Sequence, residues 1–192
     1  MTEQNMTLLS PTDTVLVVID VQERLVPAMK QGPLVIWNTR RLIDGAKLFG
    51  VPVIVTEQYP AGLGSTMPEL AAVLPENTPV FEKKAYSACL VPEFVDVLRS
   101  RETIRKVLLT GIESHVCVLQ TALDLLSLGY EVHLATDAIS SRFAFDYDMA
   151  LRRLESSGVM LTTTESALFQ WCRTADAPQF KELSRIVRET KP

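Results

Sequence analysis

Leu108-Leu109-Thr110-Gly111-Ile112-Glu113-Ser114-His115-Val116-Cys117-Val118-Leu119-Gln120-Thr121-Ala122 is the stretch on which the fold turns. An apolar run reaches a glycine, turns within a few residues, and continues as an apolar segment whose first turn carries Cys117. Continuous apolar runs suit strands buried on both faces of a parallel sheet. A strand feeding directly into a helix is the repeating unit of an α/β fold. The N-terminus of such a helix carries partial positive charge and unpaired N–H groups. That setting can lower a thiol pKa and leave donors for an oxyanion, although a lone cysteine there is also a good small hydrophobe for a core.

The same alternation extends in both directions. Strands are predicted at 15–19, 52–56, 78–81, 106–110, 131–136 and 159–162. Helices are predicted at 33–49, 91–99, 114–128, 146–157, 165–173 and 178–188, with Gly50, Gly129 and Gly158 closing three of them. The expected architecture is a three-layer α/β/α sandwich around a six-stranded parallel sheet, Rossmann-like, in one domain over 1–192 with its core at about 13–188. The one long irregular stretch is 57–79, after the second strand, with Gly62, Gly64 and four prolines. Open α/β sheets bind ligands at the carboxyl ends of their strands, so this stretch is a candidate site wall.

Composition narrows the function. A net charge of −4 without a long basic run argues against nucleic acid as a partner. No apolar stretch approaches the ~18 residues of a membrane span. Three cysteines without paired spacing, and an acidic Met1–Met6 segment with no secretory character, point to reduced thiols in a cytoplasm. Only two histidines, His115 and His133, are present, with no C-x-x-C or H-x-H, so a metal site is poorly supplied and no cofactor is expected. No Gly-rich turn follows the first strand, which disfavours a dinucleotide fold. Asp20 stands without the acidic neighbour that a phosphoacceptor domain needs.

Asp20 closes the first strand and could serve as a loop carboxylate, a helix cap or a base. With strand order 3-2-1-4, Asp20 and Cys117 share one crevice, where the carboxylate could take the thiol proton. His115 lies two residues from Cys117 and so on a different side of a helix. His133 lies inside a strand and reads as a core or interface histidine. A cation beside the Asp–Cys pair would stabilise thiolate and carboxylate alike. Lys83 and Lys84 both follow the third strand, and position alone does not choose between them.

The segments Val17-Val18-Ile19-Asp20-Val21-Gln22, Thr56-Glu57-Gln58, Phe81-Glu82-Lys83-Lys84-Ala85-Tyr86-Ser87-Ala88, Leu109 to Val118 and Thr136-Asp137-Ala138-Ile139-Ser140-Ser141-Arg142 resemble the isochorismatase-like cysteine hydrolases, in the family's order. The nearest branch is that of the isochorismatase domain-containing proteins. The resemblance implies an Asp–Lys–Cys triad: Asp20 as base, Cys117 as nucleophile, and Lys83 as cation, because the family's lysine sits three residues before the aromatic that is Tyr86 here. It also implies a cis peptide at Ile112–Glu113 and an oxyanion hole from the N–H groups of Glu113 and Cys117. Two departures sharpen it. Metal-dependent nicotinamidases of the superfamily place histidines after the second strand, where this chain has Thr56-Glu57-Gln58-Tyr59. True isochorismatases cleave a vinyl ether and lack the nucleophilic cysteine.

What remains is acyl transfer from a small amide or ester to Cys117, then hydrolysis. Pocket candidates are Gln22, Leu25, Gln58, Tyr59, Phe81 and Tyr86. The competing readings are a catalytically silent oligomeric scaffold of the same fold and a vinyl-ether hydrolase. The helix at 114–128 is apolar around most of its circumference, more than one sheet face needs. Its excess surface should be covered by the terminal helices or by a second copy in a homo-oligomer, as the resemblance also implies.

Overall fold

A computed structural model describes residues 8–190. The Met1–Met6 segment read above for its lack of secretory character lies outside the described residues. The six strands are β1 (Thr14–Ile19), β2 (Val53–Gln58), β3 (Val80–Lys83), β4 (Lys106–Ile112), β5 (Glu131–Ser140) and β6 (Met160–Thr162). They form one parallel sheet in the order β3-β2-β1-β4-β5-β6. The helices are α1 (Gly32–Phe49), α2 (Pro60–Leu63), α3 (Pro68–Ala71), α4 (Pro92–Arg99), α5 (Leu119–Ser127), α6 (Ala144–Ser156), α7 (Thr164–Cys172) and α8 (Phe180–Val187). This is the expected α/β sandwich.

Strand side chains alternate between two cores, as the period of two requires. Leu16, Val18, Val53, Val55 and Leu108 pack with α1, α7 and α8. Val15, Val17, Ile19, Ile54, Val107 and Leu109 pack with α4, α5 and α6. β1 is buried along its whole length, as a central strand covered on both faces must be. Each such side chain removed from water contributes roughly 1.5–3 kcal/mol. The long α1 ends at Gly50, which takes the left-handed conformation at φ 72° and donates back to the Ala46 and Lys47 carbonyls.

Four expectations are corrected. The stretch 57–79 carries the short helices α2 and α3 rather than irregular chain throughout; proline at their starts supplies the preset φ. β5 runs to Ser140, four residues past its expected end, after a register irregularity opposite Leu109–Gly111. The helix expected over 114–128 is two pieces: a π-helical turn at Ser114–Val118, then α5. The terminal helices α7 and α8 pack on the α1 face, not over α5. Leu123 and Leu126 of α5 are therefore only half-buried, and Leu128 is exposed.

Candidate active site

The carboxyl edge of β1–β4 gathers the chemistry. At the end of β1, Asp20 adopts the left-handed region at φ 51° and turns the chain out of the sheet; short polar residues tolerate that region better than most. Its side chain is fully buried. Oδ1 accepts from Thr56 Oγ1 at 2.7 Å and Oδ2 from Lys83 Nζ at 2.6 Å. Both side chains of the Asp20–Lys83 pair have no exposed surface. Thr56 lies opposite Ile19 in the β1–β2 register, which delivers its hydroxyl to the next residue.

Lys83 is the last residue of β3, opposite Gln58 on β2. Lys83 is buried, whereas Lys84 is exposed. The strand ends at Lys83, which stays in the sheet while the chain leaves it at Lys84, and this separates two lysines that sequence position alone could not. The Lys83 ammonium also donates to Gln58 Oε1 at 2.7 Å, and to the Ala85 carbonyl at a long 3.4 Å.

Cys117 sits on the π-helical turn after β4, buried at 6% exposure. The turn winds on the Glu113 carbonyl, which accepts from the N–H groups of Val116 and Val118. The Ile112–Glu113 peptide is cis. Gly111, at φ 122°, lies beside Ile19, and a Cβ there would stand 2.0 Å from the Ile19 carbonyl oxygen. Only glycine lets β4 come that close to the strand carrying Asp20.

The Asp20 and Lys83 charges both act on the Cys117 thiol, in opposite senses. The thiol pKa is not lowered as its helix-start position suggested. Burial first, then the Asp20 carboxylate, push it up to about 12, against a partial lowering by Lys83. Cys117 rests as a thiol with a carboxylate and an ammonium beside it.

The sequence-derived pocket candidates divide. Gln22 is fully buried and its amide is consumed by the backbone. It donates to the Gln58 and Gly64 carbonyls at 3.0 and 2.6 Å and accepts from the Gln58 N–H at 2.7 Å. Gln58 spends its own amide on Lys83 and the Lys84 carbonyl. These two are framework rather than free pocket donors. Leu25 is half-buried against the α1-side core. Phe81 stacks edge-on against Phe94, centroids 5.9 Å apart. Tyr59 and Tyr86 are half-exposed, at 52% and 55%.

Sequence reading missed three supports. Thr56 holds Asp20. Arg142 fixes the Glu113 carboxylate through its N–H and Nε, both at 3.1 Å. Asp137 accepts from the N–H and hydroxyl of Thr164 at the start of α7. Only the Thr56 contact had a sequence signal, a polar residue closing a buried strand. The histidines lie apart from this chemistry. His115 Nδ1 pairs with Ser141 Oγ at 3.0 Å, and its Nε2 lies 3.8 Å from Asp146. His133 is buried within β5. Among the described residues, no group of three or more His, Cys, Asp or Glu side chains is placed to hold a metal, and no helix is long and apolar enough to cross a membrane.

The Isochorismatase domain matches residues 14–166. An isochorismatase domain-containing protein 1 of Danio rerio is 43% identical over 184 residues, which is 96% of this chain and 64% of that protein. The chain therefore spans less than two thirds of that relative's length. A secreted isochorismatase effector, Isc1, of Phytophthora sojae is 46% identical over 185 residues, 94% of this chain and 87% of that one. Among solved structures, one described as MAR1 ribonuclease from Caenorhabditis elegans superposes with a TM-score of 0.92 at 42% identity, covering 97% of this chain and 95% of that one.

Proposed function

Because the chain belongs to the isochorismatase family of hydrolases, we propose that it is a cysteine hydrolase of a small amide or ester, with Cys117 as nucleophile, Asp20 as base and Lys83 as the cation between them. The observation that carries this reading is a fully buried carboxylate–ammonium pair acting on a buried thiol. Unpaired buried charges are costly, and a pair kept beside a nucleophile has a chemical use.

A thiol held protonated needs its base at the moment of attack. The Cys117 S–H proton passes to Asp20 as the sulfur bonds to the substrate carbonyl carbon. The carbonyl oxygen takes the negative charge, and the N–H groups of Glu113 and Cys117 receive it. Collapse breaks the C–N or C–O bond, and the leaving amine or alcohol takes the proton from Asp20. Water then attacks the thioester and gives a proton to Asp20. The C–S bond breaks, the acid departs, and the proton returns to sulfur. Lys83 keeps the Asp20 charge oriented and offers a donor to the sulfur as its charge develops.

Leu25, Tyr59, Phe81 and Tyr86 would flank the substrate, and their apolar bodies favour a small, weakly charged molecule over a phosphate. No metal takes part, since the segment Thr56–Tyr59 presents a threonine, a glutamate, a glutamine and a tyrosine and no histidine. The working form is a homo-oligomer of a cytoplasmic protein, with no nucleic-acid or membrane partner. The half-exposed leucines of α5 support the self-association.

The test is a panel of small amides and esters, with an RNA and a vinyl ether beside them, run on wild type and Cys117→Ala. The expected result is acyl transfer seen as a mass increase on Cys117, and turnover lost on the order of 10³-fold or more in the variant. RNA cleavage or vinyl-ether cleavage that survives Cys117→Ala would replace the thiol mechanism. A folded wild type silent on the whole panel would favour the scaffold reading.

A further inference from the structure

Lys83 carries three N–H donors and no acceptor. One goes to Asp20 at 2.6 Å and one to Gln58 Oε1 at 2.7 Å, leaving the third on a long 3.4 Å contact with the Ala85 carbonyl. A buried ammonium gripped firmly at two corners has its remaining direction set by its own tetrahedral geometry. We infer that Gln58 is a positioning residue, whose side-chain oxygen turns the Lys83 ammonium so that its third N–H is free for the Cys117 sulfur. This rests on the Asp20–Lys83–Cys117 reading above and assigns Gln58 a role inside it, in place of contact with substrate.

The way Gln58 is itself held supports the inference. Its side-chain N–H donates to the Lys84 carbonyl at 2.9 Å, which fixes which end of the amide faces Lys83. Its backbone N–H and carbonyl are both engaged by the buried Gln22 amide, at 2.7 and 3.0 Å. Gln22 also ties the Gly64 carbonyl at 2.6 Å. The two glutamines thus form a relay from the segment after α2 to the ammonium. Every side-chain polar atom of the two glutamines has a partner, a condition that favours a rigid network. Groups facing Lys83 are the Asp20 carboxylate from β1, the Gln58 amide from β2, the more distant Ala85 carbonyl just past β3 and the Cys117 thiol from the turn after β4. Gln58 is neutral and does not titrate, so it can orient the ammonium without competing with Asp20 for its charge.

The experiment measures the pH dependence of Cys117 alkylation by iodoacetamide, together with kcat and KM on the best amide or ester of the panel. The variants are Gln58→Met, which keeps the length and removes the acceptor, and Gln58→Asn, which keeps the amide but falls one methylene short of Lys83. Lys83→Met is the reference. The expected result for both Gln58 variants is an alkylation profile displaced to higher pH in the same direction as Lys83→Met, and kcat lowered about 10-fold or more with KM changed less than about 3-fold. If Gln58→Met does not fold, Gln58→Asn carries the comparison. A raised KM with an unmoved alkylation profile would overturn the inference and return Gln58 to substrate binding. A lowered melting temperature with unmoved kcat and profile would reduce it to a structural role. If Lys83→Met itself leaves both profile and kcat at wild-type values, the triad reading fails, an outcome distinct from failure at Gln58 alone.

Discussion

Two lysine–aspartate pairs sit at opposite ends of one sheet and do different things. At the carboxyl edge, Lys83 and Asp20 are both completely buried and lie beside a thiol. At the amino edge, Lys106 Nζ meets Asp13 Oδ2 at 2.8 Å and also the Leu8 carbonyl at 2.9 Å, with Asp13 a fifth exposed. The titratable neighbour there is His133, which burial and then the Lys106 charge push down to about 4. The amino-edge pair closes strand starts, since Asp13 also accepts the Arg105 and Lys106 N–H groups through its carbonyl. The comparison teaches that an ion pair becomes a candidate catalyst through its neighbour and its edge, not through its own chemistry. Carboxyl ends of parallel strands open into crevices at helix starts, and amino ends do not.

Three substitutions would break or sharpen this contrast. The largest effect belongs to Asp20→Asn. Because the Asp20 charge helps hold the thiol pKa up, its removal should lower that pKa and speed alkylation of Cys117 near neutral pH. Turnover should nevertheless fall about 10²–10⁴-fold, the usual contribution of a general base. Steady-state rates and alkylation rates on the same folded sample decide it. Faster alkylation with undiminished turnover would show that Asp20 only tunes the thiol. Some loss of stability accompanies the change, since Lys83 is left without its partner.

Next is His133. The unfolded chain takes up a proton near pH 6.5, while the folded protein resists until about 4. The unfolded state therefore binds more protons in that window, and stability declines as pH falls through it, by about 3 kcal/mol in all. Urea unfolding of wild type and His133→Leu between pH 7 and 4 measures this. The two stability curves should diverge in the acid range, and parallel curves would refute it.

The smallest effect is expected of Lys106→Met. Losing a partly exposed pair and one carbonyl contact should cost about 1–3 kcal/mol, read from the shift in unfolding midpoint. Turnover per folded molecule should stay at the wild-type value, and the His133 titration, followed by NMR, should move up toward 6.5. A drop in turnover would mean that the amino edge is coupled to the carboxyl edge and would spoil the contrast.

Much of this arrangement was legible in the chain. The run at 15–19 ending in Asp20, and the Gly–turn–Cys of 111–117, placed Asp20 and Cys117 at strand ends because apolar runs mark buried strands. Family resemblance chose Lys83, and the end of β3 gives the physical ground, since the strand reaches Lys83 and the chain turns out to solvent at Lys84. The Gln22 and Gln58 amides, read as pocket candidates, are engaged by neighbouring backbone and by Lys83. A polar side chain near a strand end looks the same in sequence whether it faces a substrate or a neighbouring backbone. The sense of the Cys117 shift was also missed. A helix start argues for a lower thiol pKa, but the magnitude of burial depends on how much protein closes over it.

By itself, the sequence determined the alternation of strand and helix, the parallel sheet, the glycine helix ends and the residue types available for chemistry. These follow from local periodicity and backbone preference, which act over a few residues. Only the tertiary structure decided the strand order that brings β1, β3 and β4 to one crevice. It also decided the close pass that demands glycine at 111, the π-helical turn under Cys117, and the amide relay that grips Lys83. Those depend on contacts between residues tens of positions apart, whose energies are set by burial and by hydrogen-bond geometry that no local pattern encodes.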